Sequence, residues 1–340
     1  MSADQPRDDH GRWTASGVGT SDAHAHPAGP FMDISKPDQA EKADQVAKIA
    51  ATVANKLGYD PSKINVSDES RQFELNGKTM NYAGMATFPA DPKLVVNPDG
   101  SKTIANANET GPVTLFTPHV GNDPNGIAGV AAHEITHQKW QAFRNDYTAD
   151  MLKMKEDPDY QKNDKWVTYD ANNPQHAALR AAGSMVTSPQ EDGSEKIREP
   201  GFMRPDGMLN EPYASKYPAY QSMTNALKPS QDDFAKSDGV SDYSKEYWLG
   251  ARTPVEKSFD KPDGTKQTYS TYAVDPAMAF HETLSEIGRL KYAGDPVYHK
   301  KLGDVDGKPV YFSTGKKGIN PKWNTLYKAM DDNWKRRTSK

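Results

Sequence analysis

Residues 127–155 contain no proline and a single glycine, Gly129, so this stretch is free to wind as one helix. At 1.5 Å per residue such a helix is roughly 43 Å long, more than the width of a small domain, and the fold has to be built around it. Within it, residues 130–138 read Val-Ala-Ala-His-Glu-Ile-Thr-His-Gln. His133 and His137 are four positions apart, so on a helix both imidazoles leave the same face and can share one metal ion, with Glu134 beside them. Val130, Ala131 and Ala132 are apolar, which suits a turn buried beneath a sheet.

The chain has no cysteine, so a metal must be held by histidines and carboxylates. A catalytic zinc takes three protein donors and leaves a fourth position for water, so a third donor is required. The short spacing that adds a glycine and a third histidine fails, because Trp140 and Phe143 stand at those positions. Glu156, 19 positions after His137, is a rival. On an unbroken helix, however, it lies roughly 28 Å from that histidine. Residues 279–286, Ala-Phe-His-Glu-Thr-Leu-Ser-Glu, offer a better candidate. Glu282 and Glu286 share one helix face there, and Phe280, Leu284 and Ile287 make the segment half buried. Glu282 is assigned as the third metal ligand. Glu286, one turn on, is assigned as acceptor of the His133 N–H, which fixes the tautomer and raises the basicity of that ring. His281 points about 100° away from Glu282 and is read as structural or as a support to the ligands.

The remaining sequence points to an α+β fold with a mostly antiparallel, twisted sheet. Val46, Ile49, Val53 and Leu57 recur at helical spacing and Gly58 follows, which predicts an amphipathic helix with a glycine stop. Short β-branched and aromatic runs at 64–66, 71–75, 79–88, 102–107 and 113–117, separated by Asn-Gly and Pro-Asp-Gly turns, predict strands. The run at 113–117 is read as an edge strand. Helices are expected at 176–185, 276–292 and 321–334, the last with Trp323, Leu326, Tyr327, Met330 and Trp334 on a core face. Residues 1–37 lack a periodic apolar face and are expected to form a mobile arm in which His24 and His26 carry no site. The domain itself is placed at 38–292, with a polar insertion at about 157–275, and 293–340 as a helical extension.

Lys and Arg total 42 against 46 Asp and Glu, a net charge of -4, which supplies no basic field for a nucleic-acid backbone. No apolar run approaches the roughly 18 residues of a membrane span, and the N-terminus has no export signal core. The expectation is a chain that is cytoplasmic or virion-associated, with no nucleic-acid or membrane partner. The sequence does not indicate an oligomeric state.

Taken together, the His-Glu-x-x-His motif, a long insertion with a tyrosine, and a helix bearing Glu-x-x-x-Glu resemble the gluzincin branch of the zincin metallopeptidases, particularly catalytic domains of the anthrax lethal factor type. The resemblance covers about residues 40–292. It implies a zincin-like fold with an active-site helix and a second, ligand-bearing helical subdomain. It also implies Zn2+ on His133, His137 and Glu282, with Glu286 supporting the site. Glu134 would be the general base toward a zinc-bound water, and a tyrosine, Tyr272 or alternatively Tyr243, would contact the reacting oxygen. The implied activity is that of an endopeptidase acting on a peptide or protein segment laid beside 113–117. Residues 6–14, Pro-Arg-Asp-Asp-His-Gly-Arg-Trp-Thr, are similar to a tract of tailed-phage and prophage proteins. Two alternatives are therefore kept: a virion-associated or scaffolding protein with a structural metal, and a toxin or effector protease with one narrow host substrate.

Overall fold

The computed structural model describes residues 30–174, 176, 196–227, 241–261, 265–293, 304–305, 308–309 and 321–339. The phage-like tract, His24, His26 and all of the helix expected at 176–185 except His176 lie outside them. The described residues form two compact units. One takes those of Met1–Ala90, Glu109–Ala142 and Pro229–Lys340, the other those of Asp91–Asn108 and Phe143–Lys228.

In the first unit, strand β1 (Phe31–Asp33) is joined by helix α1 (Ala40–Leu57) to β2 (Ile64–Ser67). Val46, Ala50 and Val53 are buried, and Gly58 ends the helix in the left-handed region at φ 68°, as a glycine stop requires. Residues 31–33 are thus part of the sheet, a correction to the arm expected over 1–37. Two more strands form a hairpin, β3 (Gln72–Leu75) and β4 (Lys78–Asn81), followed by β5 (Gly84–Ala86). In the second unit, β6 (Lys93–Val96) pairs with β7 (Lys102–Ala105), and the chain returns to the first with β8 (Val113–Phe116).

The four-stranded sheet has the order β1-β2-β8-β5. Among the described residues six of the eight strand pairs are antiparallel, but β1–β2 and β2–β8 are parallel. Helix α1 is the crossover for the first pair, and the long excursion through β3–β7 is the crossover for the second; each returns the chain in the same direction, which a tight hairpin cannot do. The order also makes β8 an interior strand, correcting its reading as an edge, and leaves β5 at the margin. Ile64 and Val66 of β2 and Val113 and Leu115 of β8 join one buried cluster with α1 and with Ile127, Ala131, Ala132 and Ile135. Strand residues two apart share a face, so helices cover that face of the sheet and the fold is α+β.

Helix α2 (Pro124–Lys155) is unbroken and begins three residues before the expected start. Its residues 124–142 fall in the first unit and 143–155 in the second. The second unit continues with β9 (Lys165–Thr168), β10 (Lys196–Glu199) and two helices, α3 (Tyr213–Lys216) and α4 (Pro218–Ala226). Its core contains Met154, Phe202, Leu209, Tyr213 and Tyr217. The polar stretch expected as one insertion over 157–275 is divided, because α5 (Asp242–Arg252) and the ribbon of β11 (Pro254–Asp260) with β12 (Lys266–Tyr272) belong to the first unit. Helix α5 is held against α6 (Pro276–Ala293), where Trp248 Nε1 donates to Thr283 Oγ1 at 2.8 Å. The last helix, α7 (Pro321–Thr338), is part of the same unit and not an extension beyond it. Its Trp323, Leu326, Tyr327, Met330 and Trp334 are buried, and Trp334 Nε1 caps the Leu57 carbonyl at 2.8 Å. Among the described residues no helix is long and apolar enough to cross a membrane.

Candidate metal centre

Residues 131–143 of α2 are buried all round, so each polar side chain there needs a partner. Gln138 Nε2 donates to the Thr87 carbonyl at 2.8 Å while its Oε1 accepts from Gly111 N at 3.0 Å. Lys139 Nζ reaches Asp331 of α7 at 2.7 Å, and Thr136 Oγ1 returns to the Ala132 carbonyl at 2.7 Å. The bonds of Gln138 and Lys139 to other elements fix the rotation of the helix about its axis, which sets the direction in which His133 and His137 project. Close approach of α6 depends on Gly288, where an added Cβ would stand 2.0 Å from Thr136 Oγ1.

His133, His137 and Glu282 converge as a buried group able to hold a metal ion. The two Nε2 atoms are 3.0 Å apart, and Glu282 Oε2 is 3.3 Å from His133 Nε2 and 3.6 Å from His137 Nε2. A tetrahedral ion with bonds of about 2.0–2.2 Å separates its ligand atoms by about 3.4 Å, so the three edges match one face of such a tetrahedron. Glu282 Oε2 makes no hydrogen bond although it is buried, a costly state for a carboxylate unless a cation is its partner. His133 Nδ1 faces Glu286 Oε1 at 2.9 Å. With Nδ1 donating there, the Nε2 lone pair is left for a metal. Glu286 is held in turn by Arg289, whose Nε and Nη2 donate to its two oxygens at 2.9 and 2.7 Å. His133, Glu134, His137 and Glu282 each keep 6–7% exposure, so the cluster lies just beneath the surface within reach of a small molecule.

Glu134 lies over β5 and accepts a hydrogen bond from the Ala86 N–H. Only glycine leaves it room there, because a Cβ at Gly84 would be 2.7 Å from its Cγ. The Tyr243 ring lies edge-on to His133 with centroids 5.9 Å apart, and its hydroxyl shares a 3.1 Å hydrogen bond with that of Tyr247. Tyr272, given first place from the sequence, is 48% exposed and pairs with Pro254 at the base of the ribbon. Of the two tyrosines expected from the sequence, Tyr243 is the one at the cluster: its position in the first turn of α5, which packs on α6, places it there, whereas Tyr272 belongs to a two-stranded ribbon. His281 stands edge-on to His137 at 4.4 Å. Glu156 follows the end of α2 and pairs with Lys102 within the second unit.

Burial opposes a charge on His133, but the close carboxylates of Glu282 and Glu286 and the nearby Glu134 outweigh it and push its pKa up to about 10. Burial likewise opposes ionisation of Glu282, yet the adjacent His137 and His133 hold its carboxyl well below the ordinary carboxylate range. Glu286 is brought down to about 2 by His133 and Arg289 against the same desolvation. Glu134 moves the other way: burial raises it and the two histidines only partly offset the effect. Two buried carboxylates that feel each other's charge are thus driven to opposite sides of the normal value, the pattern that separates a ligand from a proton acceptor. Burial, followed by the charge of Glu282, raises Tyr243 well above 10, so its hydroxyl stays a donor at neutral pH.

Arg289, Tyr247, Gly84 and Phe88 also shape the site and were not read from the sequence. Arg289 had a local signal, standing three residues after Glu286. Gly84 and Phe88 had none, since their importance depends on contact with residues of α2 and α6. No family model matches the sequence, and no curated protein and no solved structure shows a significant similarity to it.

Proposed function

We propose that this chain is a zinc-dependent endopeptidase of zincin-like architecture. The observation that carries the reading is the convergence of donor atoms from α2 and α6 to within 3.0–3.6 Å, with a fourth group, Glu134, beside them and outside the ligand set. Two histidines and one carboxylate are the donor set of a catalytic rather than a closed structural zinc. A divalent ion bound there supplies Lewis acidity and brings the pKa of a water toward neutrality.

The chain's own residues supply the rest. Glu134, with its pKa raised by burial, takes a proton from the attacking water and hands it to the departing amine. Tyr243 donates its hydroxyl hydrogen to the oxygen that gains negative charge, and Tyr247 holds that hydroxyl in place. Glu286, steadied by Arg289, keeps the His133 Nδ1 proton in place so that Nε2 remains a donor atom. Within β5, the register with β8 and the bond from Thr87 N to the Pro112 carbonyl turn the backbone groups of Gly84 and Ala86 away from β8, toward the open margin of the sheet, where the Ala86 N–H is taken by Glu134 and the Gly84 groups and the Ala86 carbonyl remain for a peptide. An extended peptide adding there would lie with its main chain beside Glu134. This reading favours unfolded or extended protein segments as substrates.

The test is digestion of a peptide mixture by zinc-loaded protein, with and without chelator, alongside Glu134→Gln. We expect the variant to bind zinc as the parent does and to lose about 10²-fold or more in turnover, the scale of a lost general base. Full turnover by the variant, or turnover indifferent to chelator, removes the proposed chemistry.

A further inference from the structure

The ribbon of β11 and β12 is a two-stranded sheet, and among the described residues no third strand flanks it. Along β12, residues 266–270 are all exposed, Thr271 is half-buried and Tyr272 is exposed, so neither face of that strand is covered. A two-stranded ribbon of this kind is marginal by itself. Bonds at its two ends, Lys261 N to the Thr265 carbonyl at 2.7 Å and Ala273 N to the Thr253 carbonyl at 2.9 Å, set the phase of its ladder. With Lys257 paired to Tyr269, that phase gives the backbone groups of Gln267, Tyr269 and Thr271 to β11. Those of Lys266, Thr268, Ser270 and Tyr272 face the outer edge.

The two edges of the ribbon differ. On β11 the outward positions include Pro254, which has no N–H, together with Glu256 and Asp260, and such residues guard an edge strand against pairing. On β12 every outward residue keeps its N–H, and residues 267–272, Gln-Thr-Tyr-Ser-Thr-Tyr, carry no charge. That edge is also complementary to itself. An antiparallel copy related by a two-fold at Tyr269 brings Thr268 opposite Ser270 and Lys266 opposite Tyr272, all with outward backbone groups. Hydroxyl then meets hydroxyl and ammonium meets an aromatic ring, with no like charges opposed. The same operation on β11 would set Lys257 against its own copy.

We propose that β12 pairs with β12 of a second copy of this chain, joining the two ribbons in one four-stranded antiparallel sheet. The guarded β11 edges are left outside, so growth stops at the dimer. Neither the metal centre nor peptidase activity enters this pairing.

The experiment is sedimentation equilibrium of the full-length chain from about 1 to about 300 µM, the range suited to a small, transient interface, with hydrogen exchange at both ends of that range. We expect reversible dimers. At the high end the amides of 266, 268, 270 and 272 should exchange more slowly, whereas those of 267, 269 and 271 are already protected by β11. Ser270→Pro, which the ribbon accommodates because that N–H faces outward, should weaken association about tenfold or more by removing one donor from each copy. Tyr269→Lys and Tyr269→Glu should each weaken it through like charges at the two-fold, and an equimolar mixture should recover dimers containing one of each variant. That recovery separates loss of pairing from loss of the fold. A chain that stays monomeric throughout, a dimer indifferent to Ser270→Pro, or no recovery on mixing overturns the proposal. So does protection of the same amides by an added extended peptide in a chain that remains monomeric, which would assign the edge to a peptide.

Discussion

His133 bears the conflict on which the site turns, because the same Nε2 lone pair is wanted by a proton and by a metal. Without metal, Glu282 and Glu286 hold an imidazolium there with a pKa of about 10, against about 6.5 for an unfolded histidine. A group raised on folding stabilises the fold fully below its unfolded pKa, and that contribution is lost as pH climbs through the folded value. Metal-free protein should therefore lose stability steadily between about pH 6.5 and 10. Metal binding has the opposite sign, since the ion must displace the proton, so affinity should rise over the same interval and uptake near pH 7.5 should release about one proton. Thermal scans of chelated protein across this range, together with calorimetric zinc titrations in two buffers of different ionisation enthalpy, read both slopes. An affinity that does not change with pH would show that His133 Nε2 is not a ligand.

At the scale of elements, the site depends on how closely α6 crosses α2. Gly288 and Thr136 set that distance, and Gly288→Ala would drive a methyl group to 2.0 Å from Thr136 Oγ1. Such overpacking costs about 1–3 kcal/mol, and any outward shift of α6 carries Glu282 and Glu286 away from the histidines. We expect Gly288→Ala to lower the melting temperature and weaken zinc binding together, and Thr136→Ala to restore part of both losses by removing the crowded atoms. A destabilised variant with unchanged zinc affinity would mean that the crossing does not position the ligands. The two helices were legible in the sequence because their signals are local: four-residue spacing puts His133 with His137, and Glu282 with Glu286, on single faces. Gly288 and Gly84 were not legible, because each is required by a side chain more than forty positions away. Strand β1 was hidden for another reason, since Phe31 and Met32 are too short an apolar run among polar residues to show a period. Without it the parallel β1–β2 pair was hidden too, while the interior place of β8 follows from its pairing with β2 on one side and β5 on the other, which no local pattern shows. Helix α5 did carry a local sign, the Ser241–Ser244 capping box, but Tyr243 gains its place only by packing against α6.

Across the whole molecule, all the candidate ligands belong to one unit although their sequence does not run continuously: its described residues stop at Ala142 and resume at Ser241. The second unit has an independent set of ties. Asp150 accepts from the amides of Ala219 and Tyr220 at 2.8 and 3.1 Å, and Asp157 takes Lys216 Nζ at 2.7 Å and the Tyr217 hydroxyl at 2.6 Å. Burial works against ionisation of Asp157, but these donors bring its pKa down to about 2. None of those bonds is made by a residue of the metal cluster, and helix α2, which carries both His137 and Asp150, is the element the two sets share. An ion at a hundred times its dissociation constant stabilises the folded state that binds it by about 2.7 kcal/mol, roughly a hundredfold in the population of opened forms. Hydrogen exchange should therefore divide the chain in two. Removing zinc with a chelator should speed exchange of the amides at 131–138 and 281–288 by up to that factor, while the Ala219 and Tyr220 amides keep their rates, and His137→Ala should abolish the difference between loaded and chelated protein. Acceleration of equal size in both units would instead mean that they open as one cooperative body, with the metal contributing to the stability of the entire chain.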